Sequence, residues 1–207
     1  MKLESITGPD RMGRHKLTFE EGQTLVVYPQ VIADCGLCTG DDLDEEQMER
    51  LRAAATAVRA KMRAVRIVAA SAVSKKDLSQ RLVHKGETEE DAQAAVAWME
   101  DLNLLDDAET ARQIVRRGVA RGYGAARIRQ MLFEKQIPRD CWEEALAQVP
   151  DPEEEIMEYL RRHMPQDADR KLRDKTIAAL QRRGFSWEPI RRCMARYCET
   201  GYDGFDA

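Results

Sequence analysis

Cys35 and Cys38 form the one Cys-x-x-Cys of the chain, a spacing that suits half of a tetrahedral zinc site or a thiol redox pair. Either use needs more than the pair. Zinc needs a second pair at tight spacing, but Cys193 and Cys198 are separated by four residues on a predicted helix, and a redox pair needs a βαβ frame that does not surround it. The two cysteines are read as small apolar residues in a turn, and neither a metal nor a cofactor is expected. His15, His84 and His163 lie in three different regions, with no His-x-x-x-His or His-Glu-x-x-His pairing, and the phosphate-binding Gly-x-x-x-x-Gly-Lys-Ser/Thr is absent. The usual seats of metal-assisted hydrolysis and phosphoryl transfer are therefore missing. No catalytic residue is expected, and the chain reads as a non-enzyme.

Binding chemistry is better represented. Arg112, Arg116, Arg117 and Arg121 recur at helical spacing, while Ile114, Val115 and Val119 take the other side, and Arg127, Arg129 and Lys135 extend the basic run. Seven bases against one acid, Glu134, between Arg112 and Lys135 create a local potential that costs self-repulsion unless a partner is met. For any single arginine a solvated helix face is the simpler reading. Tyr123, between Gly122 and Gly124, is either a packing anchor or a contact. A second basic region holds Arg161, Arg162, Arg170, Lys171, Arg173, Lys175, Arg182 and Arg183. Between the two, Asp140 to Glu158 carries eight acids and no base, most simply for helix-dipole chemistry and solubility. The net charge of −4 argues against coating nucleic acid by bulk electrostatics. The stripes matter more than the sum.

The elements that must position these side chains repeat along the sequence. Leu82, Leu132 and Leu180 fall on one another, as do Leu78, Ile128 and Thr176, and Val96, Leu146 and Met194, at spacings of 50 and then 48 residues. A period of this size marks a supersecondary unit that stacks on its neighbours to bury an apolar face. Each unit reads as three short helices. In the first, Ser74 with Asp77 and Thr88 with Asp91 make capping patterns, Gly86 stops the intervening helix, and Val96, Trp98, Met99, Leu102 and Leu105 fill the buried side. The second predicts helices over Asp107 to Arg121, Ala125 to Lys135 and Pro138 to Gln148, with Pro138 at a first helical position. The third opens at Asp151-Pro152-Glu153-Glu154, a cap, a first-turn proline and first-turn acids together, and Ser186 caps its last helix.

Upstream, Met1 to Gly13 shows no periodicity and reads as a flexible start or a poorly packed edge strand. His15 to Phe19 and Thr24 to Tyr28 read as a β-hairpin around Glu21-Gly22, stopped by Pro29. Helix signals run from Glu45 to about Val73 through Leu51, Val58, Met62, Val65 and Val68, with one break expected. The expected divisions are 1–58 for the hairpin and the start of the linking helix, and 59–106, 107–149 and 150–201 for the three repeats. The tail from Gly201 to Ala207 is expected to fray.

Leu105-Asp106-Asp107, then Ala111, Gly124, Ile128, Leu132 and Ile137, follow a middle repeat of the form L-D-D-x-x-x-A, Gly, Ile-x-x-x-Leu-x-x-x-Gly-Ile. Ser74, Leu78, Leu82 and Gly86 match the first repeat, and Leu180, Gly184, Phe185 and Trp187 the third. In these residues the chain resembles the RecX family of bacterial recombination regulators, over most of Met1 to Gly201. It departs at Thr110 and Glu87, where an aromatic is common, at Gln136, where Gly is usual, and at Ala72, where Arg is usual. The resemblance implies a partner: RecX-like proteins bind RecA, lie in the groove of its filament on single-stranded DNA, and suppress its ATPase, strand exchange and coprotease activities. Candidate contacts to RecA or DNA are Arg112, Arg116, Arg117, Arg121, Tyr123, Arg127, Arg129, Lys135, Arg173, Lys175, Arg182 and Arg183. A weak direct DNA contact and a monomeric state are also expected. The alternative is a stand-alone helix-turn-helix-like DNA-binding module within Lys75 to Glu100.

With 207 residues, 6% aromatic and 34% charged, the chain suits a surface-rich helical protein better than a deep core. No apolar run approaches the length of a membrane helix, Asp10, Arg11 and Arg14 stand where a signal peptide would be apolar, and five cysteines without a regular framework suit a reducing compartment. A cytoplasmic, all-α, elongated protein is expected, built of three tandem three-helix repeats with a small N-terminal β-hairpin segment.

Overall fold

The computed structural model describes residues 1–199; the expectation for the tail 201–207 falls outside them. The chain divides into two compact units, Met1–Leu105 and Asp106 onward.

The first unit opens with an antiparallel sheet in the order β1 (Leu3–Thr7), β2 (His15–Phe19) and β3 (Thr24–Val27). The hairpin around Glu21-Gly22 is present, with both residues at positive φ. The segment before it is not a loose start. Leu3, Leu17 and Phe19 are almost wholly buried, and β1 is held on its outer side as well, because Leu3 donates to the Asp41 carbonyl and accepts from Gly40, both at 2.8 Å. Those backbone bonds come from residues far along the chain, so no local pattern announces them. Pro29 does stop β3, but as the first residue of a short helix α1 (Pro29–Asp34) that the sequence reading left out.

Helix α2 (Glu45–Ala70) runs without the expected break. Asp44 and Gln47 close its N-terminus with a reciprocal capping box, worth about 1 kcal/mol. Its buried stripe is Met48, Leu51, Ala55, Ala60 and Ala64, flanked by the expected Val58, Val65 and Val68, which are half-buried against the two cores; Met62 is exposed instead. Leu51 and Ala55 pack into the sheet core, whereas Ala60 and Ala64 pack into the core of the first repeat. One helix serves both cores.

The first repeat adds α3 (Lys75–His84), capped by Ser74, and α4 (Glu89–Asp101), capped by Thr88. Leu102 is exposed rather than buried, because α4 ends at Asp101 and the helical register that would turn it inward ends there. In the second unit α5 (Asp107–Ala120) and α6 (Ala125–Glu134) fall within a residue of expectation. The third element is shorter: Pro138 precedes a 3-10 turn, Arg139–Cys141, and α7 spans only Trp142–Leu146. Trp142 fixes that turn by donating its indole N–H to the Ile137 carbonyl at 3.0 Å. The third repeat contains α8 (Pro152–His163), α9 (Arg170–Arg182) and α10 (Trp187–Glu199). Ala95, Ala145 and Cys193 are all buried at the same place in the three repeats.

Two family departures acquire physical reasons. Gly86, Gln136 and Gly184 are equivalent, and all three have positive φ, at 88°, 54° and 90°. The left-handed turn is kept at Gln136 without the glycine that takes it freely. One position further, Glu87, Ile137 and Phe185 are all buried. Where two repeats insert an apolar plug, the first inserts a carboxylate, forked by Arg59 at 2.9 Å and Arg63 at 2.6 Å from α2. Those two ion pairs offset the cost of burying the charge. Replacing Gln136 by Gly is expected to stabilise the protein by about 1 kcal/mol and Gly86→Ala to destabilise it by a similar amount. Urea unfolding followed by circular dichroism reads both, and an unchanged Gln136→Gly midpoint would show that the backbone carries no penalty there.

Candidate partner-binding surface

The second unit holds every candidate contact residue. On α5, Ala111, Ile114, Val115 and Gly118 face the core, which turns Arg112, Arg116 and Arg117 outward. They are not equally free. Glu109 gathers Arg112 at 2.9 Å and Arg116 at 2.7 Å, and Arg112 also reaches Glu144 at 3.2 Å. Side-chain hydrogen bonds from Arg112, Arg116 and Gln113 hold the Glu109 carboxyl down at about 2. On α6, Arg127 is paired with Glu134 at 3.5 Å. Arg117, Arg121 and Arg129 are exposed and, with the half-buried Lys135, have no carboxylate at ion-pair distance among the described residues. On α9 the same holds for Lys175 and Arg182, which are exposed, and for the half-buried Arg173, whose buried Nε lacks a hydrogen-bond partner among those residues.

Arg183 does something else. Its guanidinium stacks on Tyr159, 4.9 Å from the ring centroid, and donates from Nη1 to the carbonyls of Arg121 at 3.2 Å and Gly122 at 3.4 Å. It satisfies the carbonyl end of α5 from the third repeat. The neighbouring backbone completes the joint. Gly124 N–H donates to the Arg183 carbonyl at 2.9 Å and Ala126 N–H to the Gly184 carbonyl at 3.2 Å. Thus α6, whose N-cap Gly124 makes no side-chain cap, is capped by another repeat's peptide groups. A Cβ on Gly124 would stand 2.4 Å from the Gly184 oxygen, and one on Gly184 would stand 2.3 Å from the Arg127 nitrogen.

Two depressions flank the joint. One, of about 440 Å³, brings Arg121 and Arg183 together with Arg162 and His163, beside Glu155 and Glu158. The other, of about 310 Å³, brings Tyr123 and Arg129 together over Val119, Leu146, Val149 and Phe185. Tyr123 also packs on the core of the second repeat, so it anchors and lines at once. Lys135, Arg173 and Lys175 line neither depression. Phe133 and Trp187, 66% and 52% exposed, escaped the sequence reading as surface residues. Phe133 was legible: it follows Leu132, which the period turns inward, and so falls off the buried stripe.

The histidines do not converge, and among the described residues no three His, Cys, Asp or Glu side chains are placed to hold a metal ion. Cys35 and Cys38 are exposed free thiols; burial pushes the Cys193 thiol up, and burial together with Asp140 does the same to Cys141. Two features argue against α3 and α4 as a DNA reader. The first turn of α4 is Glu89, Glu90 and Asp91, which would repel phosphates, and Glu87 before it is buried against arginines. No helix among the described residues is long and apolar enough to cross a membrane.

Tandem three-helix units behind an N-terminal sheet, with their charges directed outward, define a helical-repeat protein. Comparison with known proteins narrows the class. Residues 106–146 match the second three-helix domain of RecX and residues 154–194 the third. The regulatory protein RecX of Vibrio parahaemolyticus is 32% identical over 122 residues, 58% of this chain and 79% of that protein. That of Chromohalobacter salexigens is 31% identical over 139 residues, 66% of this chain and 91% of that protein. A crystal structure of regulatory protein RecX superposes with a TM-score of 0.66 at 23% identity, over 94% of this chain and 98% of that one. The chain belongs to the RecX family and shares its regulatory role.

Gly184→Ala and Gly124→Ala are each expected to destabilise the second unit by at least about 2 kcal/mol, more than Gly86→Ala, whose added Cβ would meet open space. Thermal unfolding of the three variants orders them, and equal losses would show that the joint tolerates a side chain. The Glu109 carboxyl should titrate near 2 rather than near 4.5. Its folded value is depressed, so its clamp on Arg112 and Arg116 is fully present above about 4.5 and is lost as the pH falls through about 2. Carbon-detected NMR of the side chain reads this directly, and an ordinary value would mean the clamp is open in solution.

Proposed function

We propose that this protein binds RecA and the filament that RecA forms on single-stranded DNA, and that it inhibits RecA's ATPase, recombinase and coprotease activities. It acts in the cytoplasm as a monomer, by occupancy and without catalysis of its own. The observation that supports the reading best is that the two stretches matching RecX domains, 106–146 and 154–194, are the ones that carry Arg117, Arg121, Arg129, Lys135, Arg173, Lys175 and Arg182 without ion-pair partners among the described residues. Cations left uncompensated on consecutive repeats suit a long anionic or mixed groove, where many weak contacts sum and steer association. In this reading the repeats run 59–106, 107–149 and 150–201, and the tethered Arg112, Arg116, Arg127 and Arg183, with Tyr123, also contact the partner. Direct DNA contact is weak, because net charge is −4 and acids lie between the basic regions.

The test is RecA ATP hydrolysis on single-stranded DNA, with this protein titrated from well below to above one per several RecA subunits. A fall at substoichiometric ratios is expected, and the double variant Arg117→Glu, Arg121→Glu should need about ten-fold more protein for the same inhibition. An unchanged rate, together with DNA binding that weakens steeply as salt rises, would replace this reading with the stand-alone DNA module.

A further inference from the structure

We propose that the open edge of the N-terminal sheet, Thr24 to Val27 of β3, takes an extended segment of the regulated partner as an added strand, with a carboxylate of that segment over Arg66. The inference rests on the regulatory reading above and goes beyond it, because these residues lie outside the stretches that match RecX domains.

Hydrogen-bond alternation leaves this edge unfilled. In an antiparallel pair, residues that exchange backbone bonds alternate with residues that do not. Phe19 donates its N–H to the Gln23 carbonyl at 2.9 Å, and the register then pairs Thr18 with Thr24, Leu17 with Leu25, Lys16 with Val26 and His15 with Val27. Leu25 and Val27 therefore bond to β2, whereas the N–H and C=O groups of Thr24 and Val26 point away from it. None of these groups meets a protein partner among the described residues, and both residues are exposed. The opposite edge is closed: Leu3 bonds to Asp41 and Gly40, and Lys2 bridges to Asp42. Sheets blunt their edges with charge, proline or bulges. The stretch Thr24-Leu25-Val26-Val27 has none of these, and its threonine and valines favour extended pairing. Another peptide backbone is what offers donors and acceptors at the matching spacing; a nucleic-acid strand does not.

The surface beside the edge is apolar, and positive at one end. Val26, Met12 and Met62 are 48%, 49% and 36% exposed. Arg66 joins the two methionines to the end of β3: its Nη1 lies 3.8 Å from the Met12 sulfur, its Nε donates to the Met62 carbonyl at 3.2 Å, and its Nη2 donates to the Tyr28 hydroxyl at 3.2 Å. Arg66 and Lys16, the cross-strand neighbour of Val26, are exposed and have no carboxylate at ion-pair distance among the described residues. The acids beside them in the fold are already matched. Asp10, in the same loop as Met12, is held by Arg14 at 2.7 Å, and Glu87 is held by Arg59 and Arg63 of α2. Glu20 and Glu21 stand at the other end of the edge, in the turn before Thr24. Charge thus directs an acid of the incoming strand to the Tyr28 end. A second copy of this chain fits less well, since an edge of 4 residues buries far less than the roughly 1,200 Å² of a stable dimer. For a partner that the repeats already engage, one further weak contact suffices.

The experiment measures hydrogen–deuterium exchange of the full-length protein, read at single residues by mass spectrometry, when it is free, with RecA filaments assembled on an oligo-dT strand, and with the strand alone. The amides of Thr24 and Val26 should slow at least about ten-fold on the filament and stay unchanged on the strand. Filament affinity is measured for three variants, with thermal unfolding confirming that each folds. Val26→Pro removes an outward N–H and no bond to β2, Arg66→Glu reverses the charge, and Val26→Thr keeps both backbone groups. Affinity should fall at least about ten-fold for the first two and little for the third; exchange in the parent decides even where Val26→Pro fails to fold. Filament binding with both amides unprotected overturns the added strand and leaves the regulatory reading standing. Protection with full affinity in Val26→Pro means cover without strand pairing and overturns it too. Protection that grows with protein concentration in the free state overturns it in favour of a second copy, and protection on the bare strand in favour of a DNA contact. No filament binding by the parent overturns both.

Discussion

The second unit depends on a contact between two peptide backbones. At Gly124 and Gly184 the turns of adjacent repeats meet without side chains between them, and the N–H groups of Gly124 and Ala126 donate to the Arg183 and Gly184 carbonyls of the other. A helix start needs acceptors for its free N–H groups; here they come from the third repeat, where the first repeat uses the Ser74 hydroxyl. Repeat arrays are held by nearest-neighbour interfaces, and this one is directional, because hydrogen bonds fix both distance and angle. Arg183 extends the joint by tying its guanidinium to the carbonyl end of α5 and to Tyr159. Both depressions exist because the two repeats are held in this register.

The first unit solves a similar problem differently. Its sheet and its repeat have separate cores, and an unbroken α2 carries a buried face into each. Met48, Leu51 and Ala55 form its face toward the sheet, and Ala60 and Ala64 its face toward the short helices of the first repeat. The buried Glu87 fits the same economy of contact. It takes the place of an apolar plug and is gripped by two arginines from α2, so the turn between α3 and α4 is tied to that helix by charge as well as by packing. Such a pair is costly to break, since removing either side leaves a buried charge uncompensated.

The basic surface is graded, not uniform. Glu109 holds two arginines and Glu134 a third, so the cations left uncompensated are those at the end of α5, along α6 and on α9. Self-repulsion among seven bases is relieved locally by a few acids, and of the cations left over Arg121 and Arg129 line the depressions at the repeat joint whereas Arg117, Lys135, Arg173, Lys175 and Arg182 do not. Exposed ion pairs of this kind contribute little stability; their effect is on which arginines can meet a partner without first giving one up.

Much of this was legible in the sequence. The spacings of 50 and 48 residues placed the equivalent buried positions, and Ser74, Thr88 and Asp151 marked helix starts by local chemistry that acts within a turn. The outward direction of Arg117, Arg129 and Phe133 also follows from helical period alone. The sequence could not show that β1 is buried, that α2 is continuous, or that Arg183 caps a helix in another repeat, because each depends on partners tens of residues away. Glu109's hold on Arg116 spans two turns and needed the actual rotamers. Local propensity and periodicity determined which helices form and which face each buries; only the tertiary structure decided which repeat supplies the caps, which cations are already spent, and where a groove opens, since those are set by long-range hydrogen bonds and close backbone approach.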